Sequence, residues 1–255
     1  MFTYAFLSVL AVSALSLVGA FTLTLKEKVL KSLIFVLVSM SAGALFGDAF
    51  IHLIPEAFSG ALSPDRASLY LLIGILFFFM LEKFLHWRHS HGIDEESGET
   101  GSTHDHSKKN VGIMVLVGDA IHNLIDGVII GASFLVSVEV GVATTLAVAL
   151  HEIPQEIGDF GLLIHSGLSR GKALLFNFLS GLASLLGLAL AFSLQGGVEG
   201  FIPSALAFAA GGFVYIAGSD LVPEIQKTKE LKKSLIQVLS MVVGILAMML
   251  LLYFE

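Results

Sequence analysis

The sequence contains no cysteine, so disulfide and thiolate chemistry are closed to it, and any metal it handles must be held by nitrogen and oxygen. Charge is nearly as scarce. Only 14% of the 255 residues are Asp, Glu, Lys or Arg, against about 25% in an ordinary soluble domain. That class is excluded. The 14 basic residues form no dense patch, so no nucleic-acid partner is expected. Nothing resembles a phosphate-cradling ATP loop either, and ATP is not an expected partner.

What the chain does have is long apolar runs. Residues 1–25, 173–198, 200–219 and 234–254 carry no Lys, Arg, Asp or Glu. Each is long enough to cross a hydrocarbon core of about 30 Å as a helix. A transmembrane barrel would show segments of about 10 residues with alternating polarity, and these runs do not alternate. The fold class is all-α, a polytopic helical membrane protein.

Apolar runs bounded by Gly, Pro and charged turns predict eight spans, near 2–24, 32–58, 68–86, 111–137, 140–166, 172–194, 201–224 and 234–254. They form a single transmembrane domain over 1–255. The opening MFTYAFLSVLAVSALSL lacks the basic flank of a signal peptide and reads as a first span that is retained. Lys26, Lys28, Lys31, Lys83, Arg88, Lys108, Lys109, Arg170, Lys172, Lys227, Lys229, Lys232 and Lys233 then share one side, and Arg66 alone lies on the other. The positive-inside rule makes the first side cytoplasmic, with both termini outside it.

One loop is unlike the rest. Residues 87–110, with His86 just before them, hold His89, His91, His104 and His106 among Glu, Asp, Ser and Gly. Such a composition cannot bury a core and is expected to be a disordered cytoplasmic loop. Its His-x-His and His-x-x-His spacings suit weak, labile binding of Zn²⁺-like ions; the plain reading is a solvated connector.

Polar residues gather in the spans themselves. The fourth contains GDAIHNLIDGVIIG, in which His122 and Asp126 share a helical face and Asn123 lies beside them. The fifth contains HEIPQEIGDFG, with His151 and Gln155 on one stripe and Glu152, Glu156 and Asp159 on the next. Pro154 frees the carbonyl of Leu150, a defect that survives in lipid only against protein or a cavity. A lone membrane histidine or asparagine often serves as helix–helix glue. Two histidines and two carboxylates at matching depth are different, because buried charge is costly without a balancing partner. One divalent cation balances Asp126 and Glu152, and imidazole with carboxylate suits Zn²⁺, Fe²⁺, Mn²⁺ or Co²⁺.

Further stripes run through the second span (Asp48, His52, Glu56, with Pro55) and the seventh (Asp220, Glu224, with Pro223). They resemble routes to and from a central site. Gly43, Gly47, Gly127, Gly131, Gly158, Gly211, Gly212 and Gly218 would permit close helix approach. An intramembrane hydrolase is the competing reading, since HEIPQ is one residue from the zinc-peptidase HExxH; Gln155 stands where the second ligand histidine belongs. A metal-sensing membrane scaffold is a third.

The ordered motifs GDAFIHLIPEA, HNLIDGVIIGASF, HEIPQEIGDFGLLIHSG and FAAGGFVYIAGSDLVPE resemble those of the ZIP (Zrt/Irt-like) divalent-metal transporters, closest to the branch with HEIPxExGD in the fifth span. The resemblance implies eight spans, outward termini, a homodimer in a plasma or inner membrane, and transport of Zn²⁺ or a similar ion into the cytoplasm. The ion is then a transported substrate and no cofactor is needed. Carried across, the metal residues are His122, Asn123, Asp126, His151, Glu152 and Gln155. They would form two adjacent positions, the first on His122, Asp126, His151 and residue 155. The second would use Asn123, Asp126, Glu152 and residue 155, sometimes with an acidic residue from the sixth span. This chain departs by placing a neutral Gln155 where His or Glu is usual, and Ser184 at the sixth-span acidic place. The second position is therefore expected to be weak or empty.

Overall fold

The computed structural model describes residues 1–59, 62–94, 103–196 and 200–252. Among these are eight long helical stretches. They are α1 (Phe2–Thr22), α2 (Lys28–Ser59), α3 (Pro64–Asp94), α4 (Thr103–Val136), α5 (Val138–His165), α6 (Arg170–Leu194), α7 (Phe201–Gln226) and α8 (Leu231–Leu251). Seven are long and apolar enough to cross a bilayer. The exception is α5, which has 28 residues but carries Glu139, Glu152, Glu156 and Asp159. Its length is ample, at a rise of about 1.5 Å per residue; its carboxylates are the reason it looks unlike its neighbours. The molecule is an all-α, multi-spanning helical bundle.

Between α4 and α5 the chain turns in a single step. Ser137 leaves the helical conformation, and its hydroxyl accepts the N–H of Val140 at 3.1 Å, capping α5. Leu45, Leu53, Ile129, Phe134, Phe213 and Met248 fill the interior. Leu235, Leu239, Val243, Leu246 and Leu250 of α8 instead face outward, a surface that suits lipid and not water.

Three helix pairs lie unusually close, and each is built on reciprocal glycines. Gly127 of α4 packs on the backbone of Ser184 in α6, while Gly187 of α6 packs on the Leu124 carbonyl of α4. Gly43 meets the Met241 carbonyl of α8, and Gly244 of α8 meets the Met40 carbonyl of α2. Gly74 of α3 and Gly211 of α7 stand likewise on the Phe208 and Leu71 carbonyls. A Cβ at any of these positions would overlap backbone. Gly158 and Gly218 have open space beside them, so the close-approach role expected of them is not theirs.

The breaks in the helices follow a pattern that relates the two ends of the chain. Residues 41–57 and 209–225 share Ala42/Ala210, Gly43/Gly211, Ala49/Ala217, Leu53/Leu221, Pro55/Pro223 and Glu56/Glu224. Each segment widens into a π turn, Ala49–Leu53 in α2 and Ile216–Leu221 in α7. There Ile54 N–H donates to the Ala49 carbonyl and Val222 N–H to the Ala217 carbonyl, five residues back. Proline has no N–H to give to the fourth residue behind it, and the π turn rearranges the ladder beside that gap. α1 and α6 are also irregular at matching places, a 3₁₀ stretch at Ala14–Val18 and an interruption at Leu182. α2 packs on α8 as α7 packs on α3. The matched residues and matched irregularities relate α1–α3 to α6–α8 as a repeat, with α4 and α5 between them.

The glycine contacts generate a test. Gly187→Leu and Gly127→Leu should each lower the melting temperature of the detergent-purified protein, corresponding to at least about 1–3 kcal/mol from overpacking. Gly158→Ala should leave it unchanged or raise it. Equal melting of all three variants would contradict the close α4–α6 approach.

Candidate metal centre

Four side chains converge at the middle of the α4–α5 pair. His122 and Asp126 come from successive turns of α4, and His151 and Glu152 from adjacent positions of α5. One nitrogen or oxygen of each lies within 4.8 Å of the others. His122 Nε2 is 3.2 Å from His151 Nε2, 3.8 Å from Asp126 Oδ2 and 3.6 Å from Glu152 Oε1. His151 Nε2 is 3.6 Å from both Asp126 Oδ2 and Glu152 Oε1. A tetrahedral ion with ligands at about 2.0–2.2 Å has ligand–ligand edges of about 3.3–3.6 Å. The atoms already stand close to that spacing.

The imidazoles are set for ligation. His151 Nδ1 lies 3.2 Å from the Ala147 carbonyl one turn back, a contact that requires Nδ1 to carry the proton. The lone pair of Nε2 then faces the group, as in metal-ligating histidines oriented by a backbone carbonyl. Apolar rings wall the site: Phe78 of α3 stands edge-on to His122 at 6.0 Å, and Phe213 of α7 lies 6.0 Å from His151. Asp126, His151 and Glu152 are buried, and both oxygens of each carboxylate lack a hydrogen-bond partner. Among the described residues no Lys or Arg pairs with them. Such a group is costly in a low dielectric unless a cation joins it.

Local sequence explains why α5 can hold this shape. Pro154 leaves the Leu150 carbonyl without its helical donor, and Ser41 of α2 supplies one, its hydroxyl donating across the interface. The expected defect is thus closed by a neighbouring helix and not by a water-filled space.

The six expected site residues are not all in this group. Asn123 is buried, but its Nδ2 donates to Asp119, at 2.9 Å from Oδ1 and 3.2 Å from the carbonyl oxygen. Gln155 is half-buried, one turn beyond His151. Ser184 lies against α1, 2.7 Å from the Ser13 hydroxyl, and donates to the Gly181 carbonyl. In α2, His52 Nδ1 is 3.2 Å from Asp48 Oδ1 and both side chains are buried. Glu224 of α7 is exposed and pairs with Lys227 at 2.5 Å. The side chains of Asp220 and of His86, His89, His91, His104 and His106 lie outside the described residues, as do residues 95–102 of the histidine-rich loop.

A second acidic group was not anticipated. Asp119, Glu152 and Glu156 also bring one oxygen each within 4.8 Å of one another. The Asn177 amide of α6 donates to Glu156 Oε2 at 2.5 Å, and the Ser180 hydroxyl of α6 donates to Asp119. The signal was present for Asp119, which is three residues before His122 and seven before Asp126 on the same face. Nothing in the sequence alone points from α6 to these carboxylates.

The family profile for ZIP Zinc transporters matches residues 1–111 and 88–252. Zinc transporter ZIP13 of Pongo abelii is 33% identical over 228 residues, covering 84% of this chain and 65% of that protein. The Zinc transporter ZIP13 homolog of Drosophila melanogaster is 31% identical over 278 residues, 88% of this chain and 78% of its own length. Metal cation symporter ZIP14 of Xenopus tropicalis is 32% identical over 289 residues, 89% of this chain and 62% of its own. The chain thus spans a little under two thirds of the first and third of these relatives. By the extent of these matches, and with a buried His/Asp/Glu group in the bundle, the chain belongs to the ZIP zinc transporter family, a family of transporters and not of enzymes.

Proposed function

We propose that the chain carries divalent metal cations, Zn²⁺ foremost, across a bilayer and into the cytoplasm through the α4–α5 site. The observation that carries this reading is the convergence of His122, Asp126, His151 and Glu152, all within 4.8 Å, with two carboxylate charges and, among the described residues, no protein cation beside them. Two imidazoles favour a borderline metal over Mg²⁺ or Ca²⁺, which take oxygen ligands. The names of the relatives, zinc transporters and a metal cation symporter, support the same substrate class.

The finer features follow from the sequence. The lysine and arginine distribution supports both termini on the non-cytoplasmic side of a plasma or inner membrane. HEIPQEIGD at 151–159 supports the branch whose fifth span reads HEIPxExGD. Resemblance supports a homodimer that needs neither ATP nor nucleic acid. Asn123 and Gln155 serve as neutral neighbours of the ion; Gln155 offers only an amide oxygen, which holds cargo loosely and suits release.

Sealed vesicles containing the purified protein should accumulate Zn²⁺ saturably, and His122→Ala or Asp126→Ala should abolish uptake. Well-folded wild-type protein that binds Zn²⁺ but never moves it would overturn the carrier reading. Gln155→His should tighten Zn²⁺ binding and slow turnover in calorimetry paired with vesicle flux, while Gln155→Ala is tolerated far better than His151→Ala. Equal, wild-type affinity in Q155A and H151A would place the ion elsewhere. Deleting residues 89–107 should leave maximal flux within a few-fold, because the loop tunes delivery and does not form the pore. Complete loss of flux in a correctly inserted deletion variant would make the loop part of the mechanism.

A further inference from the structure

The polar contacts on the faces where α4, α5 and α6 meet all run in one direction. Asn123 Nδ2 and the Ser180 hydroxyl donate to Asp119, and Asn177 Nδ2 donates to Glu156. What remains, buried and without a partner, is Asn123 Oδ1, Asn177 Oδ1, Glu156 Oε1 and both oxygens of Glu152. Every one of these atoms is an acceptor. Reversing either amide would set its oxygen against a carboxylate oxygen, so the orientation of both is fixed by their neighbours. A water molecule would satisfy two acceptors but would leave three buried carboxylates uncompensated. The partner that the chemistry of such a group calls for is a cation.

We propose that Asp119, Glu152 and Glu156 hold a second divalent cation in an all-oxygen position, facing α6 and sharing Glu152 with the histidine-containing group. The proposal rests on the transport reading above and adds a place for the ion along its path. It differs from the second position that resemblance implies. Asn123 has committed its amide nitrogen to Asp119, and Ser184 contacts Ser13 and the Gly181 carbonyl. The acidic ligands missing from residue 184 are supplied instead by α4 and α5. Asp119 precedes His122 by three residues and Glu156 follows Glu152 by four, so the new position lies about one turn, roughly 5 Å, nearer the α3–α4 and α5–α6 connections. The amide oxygens of Asn123 and Asn177 lie beside the nitrogens that touch Asp119 and Glu156, and are available as neutral ligands. Oxygen-only ligation suits Zn²⁺ less selectively than the imidazole pair and accepts Mn²⁺ and Fe²⁺ readily.

Glu152 gives the two positions a common ligand. An ion leaving the imidazoles keeps one carboxylate while it gains two others, so it need not pass through an unligated state in the low-dielectric interior.

The test counts ions in the purified full chain with Zn²⁺ and Mn²⁺ as probes. Wild-type protein should bind two Zn²⁺ per chain. D119N/E156Q should bind one, with nitrogen ligands still evident in the zinc X-ray absorption spectrum. H122A/H151A should retain one ion whose spectrum shows oxygen ligands alone, and the same variant should give a bound-Mn²⁺ paramagnetic resonance signal that further substitution of Asp119 by Asn removes. Wild-type protein that binds a single ion, with D119N/E156Q unchanged from it, would overturn the second position. So would H122A/H151A that is well folded yet binds no metal. Failure of the transport reading looks different: two ions bind, but vesicles take up none.

Discussion

Uncompensated negative charge at mid-bundle is the constraint around which the rest of the molecule is arranged. Asp126 and Glu152 are buried between aromatic walls, with no Lys or Arg among the described residues to answer them. In a medium of low effective dielectric, separated like charges repel strongly and hydration no longer offsets them. The protein relieves this with neutral donors at the periphery only. Asn123 and Ser180 donate to the two oxygens of Asp119 and Asn177 to one oxygen of Glu156, which leaves Glu156 Oε1 and both oxygens of Glu152 bare. Adding a lysine would have been a simpler way to stabilise the fold, but it would have closed the site to a cation.

Maintaining such a group requires helices that stay hydrogen-bonded while departing from regularity. Three prolines sit where the backbone must bend, and each is accommodated differently from an ordinary kink. Pro154 is answered from outside its helix, by the Ser41 hydroxyl on the Leu150 carbonyl. Pro55 and Pro223 are preceded by π turns, which change the register of the helix without leaving the bilayer-facing backbone open. Because the two π turns belong to related copies of one segment, the same irregularity occurs in both copies.

Much of this was legible in the sequence. Charge-free runs and the spacing of Gly, Pro and Lys showed a polytopic helical bundle, and the i, i+4 spacing of His122 and Asp126 with the His151–Glu152 pair pointed to the four side chains that converge between α4 and α5. Asp119 was legible in principle from helical periodicity, since the residue continues the His122–Asp126 face. Three features were not legible from those signals. The contribution of Asn177 and Ser180 depends on α4 and α6 approaching closely enough at Gly127 and Gly187 to bring α6 side chains to α4 carboxylates. The engagement of Ser184 with Ser13 depends on where α1 crosses α6. Glycines read alike in a sequence, yet Gly187 touches backbone while Gly158 touches nothing. The repeat relating 41–57 to 209–225 was available by comparing the chain with itself, and it shows as matched Ala, Gly, Leu, Pro and Glu positions too dispersed for a periodicity search.

The distribution of polar contacts also divides the bundle. The imidazoles and carboxylates of both groups lie on α4 and α5, and the donors to those carboxylates on α4 and α6. α1 joins this set through Ser13, which bonds to the Gly181 carbonyl and faces Ser184, and through the Ser16 carbonyl that accepts from Asn177. α2, α3, α7 and α8 form the other set, paired through Gly43/Gly244 and Gly74/Gly211 and tied by the Tyr215 hydroxyl donating to Glu82. Phe78 and Phe213 present ring edges to His122 and His151 across the boundary. Ring contacts of this kind are weakly directional and exchange partners without orphaning a polar group. The ligand sets, by contrast, cannot be pulled apart without breaking buried hydrogen bonds within α1, α4, α5 and α6. The two sets meet at a seam of ring contacts that the Ser41–Leu150 bond also crosses, whereas the hydrogen bonds to the buried carboxylates lie within the first set.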